Sequence, residues 1–293
     1  NDGGAIWNAS SVSSSYFEGN SAQNGGAIAG QVGTILASTF VGNSATNAGG
    51  AVDSQAQQLL MVNSTVSGNS ALNGGGIAVA PKGNLLLSNS TVVLNRADGA
   101  AAGGGIALLD QATATLNNSI VAGNVSGSAG EESASDIALL GGSLDPTSGY
   151  NLVGDPNSAG GLANGSSGNI VGDGFGGVLD LSAVLDPTLA DNGGPTPTYA
   201  LLANGPAVNA GDPNFDPNST FPPTTFDQRG AGYARVTGGR IDIGAFELGS
   251  EYVNLVAGRY IFYHNSAFDY HFHQDTIDPT KHALLPDGTL ADS

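Results

Sequence analysis

Cysteine is absent from the 293 residues, which excludes disulfides, thiolate metal sites and a cysteine nucleophile. Basic residues are scarce: 7 Lys and Arg stand against 25 Asp and Glu, a formal net charge of −18. A surface of that sign repels polyphosphate and argues against nucleic acid as a partner. Aromatic residues amount to 6% and charged residues to 11% of the chain. No apolar run approaches the roughly 20 residues that a membrane-spanning helix needs. Glycine is plentiful, at 46 residues, which suits short strands joined by tight turns. The acidic, sparsely charged, cysteine-free composition reads as extracellular or cell-surface.

One phrase recurs along the first half. Ser15, Ser38, Ser64, Ser90 and Ser119 each stand five residues before Asn20, Asn43, Asn69, Asn95 and Asn124. Between them Phe17, Phe40, Val66, Val92 and Val121 hold one apolar position. A second ladder comes after Gly-rich turns, at Ile6, Ile28, Val52, Ile77 and Ile106, with spacings of 22, 24, 25 and 29 residues. A period in the twenties without a leucine-rich framework or a calcium-binding nonapeptide predicts an all-β, right-handed parallel β-helix. Matched apolar positions would stack inside it, Gly would make the bends, and the Asn amides would bond from rung to rung. The repeated phrase is thus architecture. Regular rungs are expected over 1–130, looser rungs and a closure over 131–248, and a linker-like or anchor-proximal β tail over 249–293.

The stretches "LDPTLADNGGPTPTYALLANGPAVNAGDPN", "DQRGAGYAR" and "GGRIDIGAFE" come after the rungs in that order. Together with the "GGAI…GN" repeats, they resemble bacterial choice-of-anchor Q surface proteins, which carry polymorphic-outer-membrane-type repeats. The resemblance covers roughly Asn1 to Glu247. The tail segments "RYIFYHNSAFD" and "KHALLPDGT" resemble the stretch C-terminal to this closure in planctomycete secreted proteins. The resemblance implies an exported, surface-associated or matrix protein with no assigned reaction.

Candidate sites are few. Parallel β-helices also host polysaccharide lyases and hydrolases, which need carboxylates converging from adjacent rungs. Asp2, Glu18, Asp53, Asp98 and Asp110 fall at unlike ladder positions, with only Lys82 and Arg96 as nearby cations. Asp212, Asn214, Asp216 and Asn218 alternate as in oxygen-rich calcium loops, though the central Gly and terminal Glu of such loops are missing. Calcium is the one cofactor this suggests; a plain turn cluster is the alternative. His271 and His273 could share one strand face as metal ligands, or lie on a solvated strand. Arg229, Arg235 and Arg240 sit among Asp227, Asp242 and Glu247, which predicts ion pairs that end the solenoid.

These readings point to a structural, adhesive or matrix protein without catalysis, whose partner is a cell-surface or matrix polysaccharide. A polysaccharide-acting lyase or hydrolase is the first alternative, and a self-assembling filament subunit the second. The chain opens on the repeat phrase itself, so residues upstream are expected to cap the first rung. Without such a cap, Ile6 and Trp7 would invite head-to-tail self-association.

Overall fold

A computed structural model describes residues 2–249, apart from 101, 129 and 221. The expected β tail beyond Gly249, with His271 and His273, lies outside the described residues. No helix among the described residues is long and apolar enough to cross a membrane.

The chain forms a parallel β-solenoid of three sheets, with ten, six and seven strands. The first rung runs through Ile6–Ser13, Tyr16–Glu18 and Ser21–Asn24, and the second through Ile28–Leu36, Thr39–Val41 and Ser44–Ala48. From the third rung the first strand divides, as Val52–Ser54 and Gln58–Val62, before Thr65–Ser67 and Ser70–Ala71. The ten-stranded sheet is called here the long face. The seven-stranded one, built on Tyr16–Glu18, Thr39–Val41, Thr65–Ser67, Thr91–Val93 and Ile120–Ala122, is called the threonine face. Pairing within the three sheets is parallel except where Val125–Ser126 meets Ser133–Ala134.

Both sequence ladders become interior stacks. Ile6, Ile28, Val52, Ile77, Ile106 and Ile137 are in register from rung to rung. So are Phe17, Phe40, Val66, Val92, Val121, Val153 and Val171. Apart from half-buried Ile6, these side chains are buried in one continuous core, each contributing roughly 1.5–3 kcal/mol for an aliphatic side chain. The Phe17 and Phe40 rings stack with centroids 4.8 Å apart, close to the spacing of neighbouring strands, so register alone produces the stack.

The double glycine divides two tasks. Gly25 and Gly49 have φ of 57° and 64°, a conformation that costs other residues energy. The glycines next in sequence, Gly26 and Gly50, have no room for a side chain. A Cβ there would overlap the carbonyl oxygens of Gly50 and Gly75 in the next rung. At the turn before each ladder asparagine, Gly19, Gly42, Gly68 and Gly123 also take positive φ, but the fourth rung places Leu94 there with φ 59°. Leu94 is 46% exposed, so its burial offsets only part of that strain. Leu94→Gly is expected to raise the melting temperature by a few degrees, since the left-handed conformation costs a side-chain-bearing residue about 1–2 kcal/mol. A lower melting temperature would show that Leu94 is held by packing instead.

The asparagines form a hydrogen-bonded column. Asn20, Asn43, Asn69 and Asn95 each donate through Nδ2 to Oδ1 of the next, at 2.8–2.9 Å. The backbone N–H of each donates to the same oxygen. The column ends on a carboxylate, because Asn124 gives both bonds to Asp136 Oδ1 at 3.1 and 2.9 Å. Asp136 Oδ2 accepts in turn from the Asp155 N–H. A group that only accepts suits this position, where three donors converge.

Candidate functional site

Beyond Val171 the chain leaves the rungs and crosses the outside of the threonine face. Thr39, Thr65 and Thr91 are in register there. Gln228 donates to Thr39 Oγ1 at 2.7 Å and accepts from Thr65 Oγ1 at 2.6 Å, while the Ala245 N–H donates to Thr91 Oγ1 at 3.0 Å. Tyr199 meets Ser67 hydroxyl to hydroxyl at 2.9 Å. Beside them Val93, Ile120, Ala122 and Leu152 pack against Val184, Leu201, Ile243 and Phe246 in a second buried core. The segment expected to end the solenoid therefore lies along its flank. The physical reason is that this face turns hydroxyls and aliphatic groups outward, and both need covering.

The ion pairs of this segment are buried. Arg229 bonds Asp227 at 2.6 Å and lies between the Tyr233 and Phe246 rings, 4.1 and 3.8 Å from their centroids. Arg235 has no exposed side-chain surface, bonds Glu247 Oε2 at 3.1 Å and donates to the Gly244 carbonyl at 3.0 Å. Arg240 departs from the expected carboxylate pairing: it donates to the carbonyls of Gly211 and Ala210. Two guanidinium groups thus share the buried cluster with Asp227, Asp242 and Glu247.

Burial shifts the protonation of Asp242 and Glu247. Burial pushes the Glu247 carboxyl up to about 7, against the pull of Arg235 and with the Asp242 charge adding to the rise. Burial also raises Asp242, and pushes Asp136 up to about 6 despite its hydrogen bonds from Asn124 and Asp155. The ordinary values are 4.5 for Glu and 3.8 for Asp. The folded chain therefore holds protons that the unfolded chain has already released. The stability they confer is present on the acid side and is lost as pH rises through about 6 and about 7. Melting is expected at a higher temperature near pH 5 than near pH 8, and Asp136→Asn should flatten the lower part of that slope. A stability that increased from pH 5 to pH 8 would contradict both assignments.

The segment also builds a groove. At the corner between the long and threonine faces, Asn63, Asn89 and Asn118 turn the chain with φ of 48–49°, a conformation asparagine tolerates. Asn118 Oδ1 accepts from the Asp212 N–H at 2.7 Å, and Asn63 Nδ2 donates to the Phe226 carbonyl at 2.8 Å. Asp212 and Phe226 are each pinned by one of these asparagines. Asn89, 1% exposed, lies between them, and its buried Oδ1 has no hydrogen-bond partner. A cavity of about 430 Å³ opens there, lined by Asn89, Tyr150, Asp212, Asn214, Phe215 and Asp216 among others. Ser88 and Asn117, in register on neighbouring strands, complete one side of it.

Asp212, Asn214 and Asp216 of the expected calcium loop therefore line one cavity; Asn218 is exposed in the adjoining turn. Asp212 Oδ1 accepts from the Asn214 N–H and Asp216 Oδ1 from the Asn218 N–H, both at 2.9 Å, so each carboxylate closes a turn on its own backbone. Among the described residues, no group of three or more His, Asp or Glu forms a metal-binding cluster. The rung carboxylates serve separate local contacts. Asp2 accepts from Asn24, Asp98 and Glu132 pair with Arg96, and Asp53 accepts from Gln55. Burial raises the Asp53 carboxyl, Gln55 lowers it and the Asp2 charge raises it. The sequence reading missed the corner asparagines and the threonine column. Their signal was present in the "NST" triplets at Asn63 and Asn89, whose side chains are buried.

Comparison with family models, curated proteins and solved structures gives no match.

Proposed function

We propose that this chain is a non-catalytic scaffold of an extracellular or cell-surface assembly, and that it adheres to a polysaccharide. One observation carries the reading: the carboxylates with raised proton affinity are committed to the fold's own bonding. Asp136 terminates the asparagine column, Asp242 accepts from the Asn209 and Leu248 N–H groups, Glu247 holds Arg235, and Asp53 accepts from Gln55. A glycosidase needs such a carboxyl facing its substrate, with a second across the scissile bond. The net charge of −18 favours a neutral polysaccharide over an acidic one, since like charges repel. The resemblance to exported surface β-helices agrees with this reading.

The test is to incubate the purified chain with insoluble cellulose, chitin and xylan, and with soluble alginate. Sedimentation with a neutral polymer, with no new reducing ends released, is expected. Steady release of reducing ends, or of unsaturated uronates from alginate, would overturn the non-catalytic reading. Failure to sediment with every polymer would remove the polysaccharide partner.

A further inference from the structure

We infer that the outer surface of the long face is a docking strip for a linear neutral polysaccharide, which lies along the solenoid axis over Leu60 and Leu86. This rests on the proposal of a polysaccharide partner and assigns it a place. Register supplies the first argument. Ser11, Thr34, Leu60, Leu86 and Thr115 are successive neighbours in one row. Gln58, Asn84, Thr113 and Ser143 form the row beside it. Side chains alternate along these strands: Ile35, Met61, Leu87 and Leu116 point into the core, and the two rows point out. All members of both rows are half-buried or exposed, so a ligand reaches them directly.

The chemistry of the strip supplies the second argument. Neither row contains a charged residue, in a chain of net charge −18. Lys82 and Asp110 stand in the turns at its margin. A neutral polymer therefore covers this surface without stranding a charge, whereas an ionic one finds no counter-charge on it. Leu60 and Leu86 keep part of their apolar surface in reach of solvent, and the C–H face of a sugar ring would cover it. Hydroxyls and amides surround the pair. Thr113 Oγ1 donates to Asn84 Oδ1 at 3.1 Å, which leaves the Asn84 Nδ2 to donate to a sugar oxygen. The five-residue row repeats at the strand spacing and spans about 19 Å. A chain of like sugars can thus meet similar groups rung after rung.

The test uses the full chain, titrated separately with cellohexaose, chitohexaose and cellobiose and monitored by amide resonance shifts. Sedimentation with cellulose and chitin is measured in parallel. A hexasaccharide should shift resonances from Thr34 to Thr115 and bind more tightly than cellobiose, which covers only part of the row. Leu60→Thr and Leu86→Thr give these rungs the residue that Thr34 and Thr115 already place in the row, so the melting temperature should change little. Together they should weaken hexasaccharide binding about tenfold, the scale of the apolar contact removed. Leu72→Thr, at an exposed leucine next to the Ser70–Ala71 strand of the six-stranded sheet, should leave binding unchanged. Thr115→Leu should tighten it, and decides the matter even if the threonine variants fold poorly. Shifts confined to another face, or sedimentation that the Leu60 and Leu86 variants leave unchanged, would overturn the strip while the polysaccharide partner stands. Self-association of the parent without sugar, lost in the double variant, would reassign the face to a second copy of the chain. No shift and no sedimentation would remove strip and partner together.

Discussion

Arg235→Ala is expected to lower the melting temperature at pH 8 by about 6–20 °C. Removing one partner of a buried pair costs about 3–5 kcal/mol, and each kcal/mol moves a domain of this size by about 2–4 °C. The substitution leaves the buried Glu247 without its guanidinium, so that it must either stay charged unpaired or take up a proton at pH 8. It also leaves the Gly244 carbonyl without a donor. Glu247 already binds a proton readily, with its carboxyl at about 7, so the same variant should lose less at pH 5, where that group is neutral. Arg240→Ala should cost much less, because Arg240 is half-buried and bonds two carbonyls rather than a buried carboxylate. A melting temperature for Arg235→Ala within about 2 °C of the parent at pH 8, under 1 kcal/mol by the same conversion, would remove the cluster from the account of stability.

Asn69→Ala should be comparably damaging, at about 3–6 kcal/mol, the sum of several buried groups at roughly 1–3 kcal/mol each. Asn69 Oδ1 accepts from Asn43 N and Nδ2, and Asn69 Nδ2 donates to Phe40 O, Ser67 O and Asn95 Oδ1. Neither neighbouring rung offers a substitute, and water does not reach a residue with no exposed surface. Asn69→Asp should be no better. It restores the acceptor but turns an anion towards Asn95 Oδ1, where an amide donor stood. Asn20→Ala, at the half-buried end of the column, should cost about 1 kcal/mol. Equal losses at Asn20 and Asn69, read from denaturant midpoints, would show that the column is not cooperative.

The rungs were legible because their determinants repeat: Phe40, Val66 and Val92 recur with Asn43, Asn69 and Asn95 at constant offsets, and a parallel stack needs little else. Asp136 was not legible. It stands 12 residues after Asn124, where the earlier steps are 23 to 29, so it reads as loop. Thr39, Thr65 and Thr91 were visible as repeats but not as a seat, since Gln228 and Ala245 approach from more than 150 residues away. The pairing of Arg229 and Arg235 could be read from composition, because Asp227, Asp242 and Glu247 share their segment. Arg240 broke that rule, finding backbone carbonyls nearer than any carboxylate. The groove needed coordinates, as Asp212 and Phe226 meet Asn118 and Asn63 from 94 and 163 residues away.

The flank segment also bears on how the molecule would respond to tension. In an ordinary solenoid each rung touches only its neighbours, so a pull along the axis can peel rungs away one by one. Here Gln228 joins Thr39 to Thr65, Ala245 holds Thr91, and Asp212 and Gly244 hold Asn118. These attachments run beside the stack across four successive rungs and would be loaded in shear, together, before any one rung could leave. A load applied between residues 6 and 171 would thus be shared between the rung-to-rung bonds and a parallel cable outside them. Rupture would come as one large event rather than a staircase of small ones.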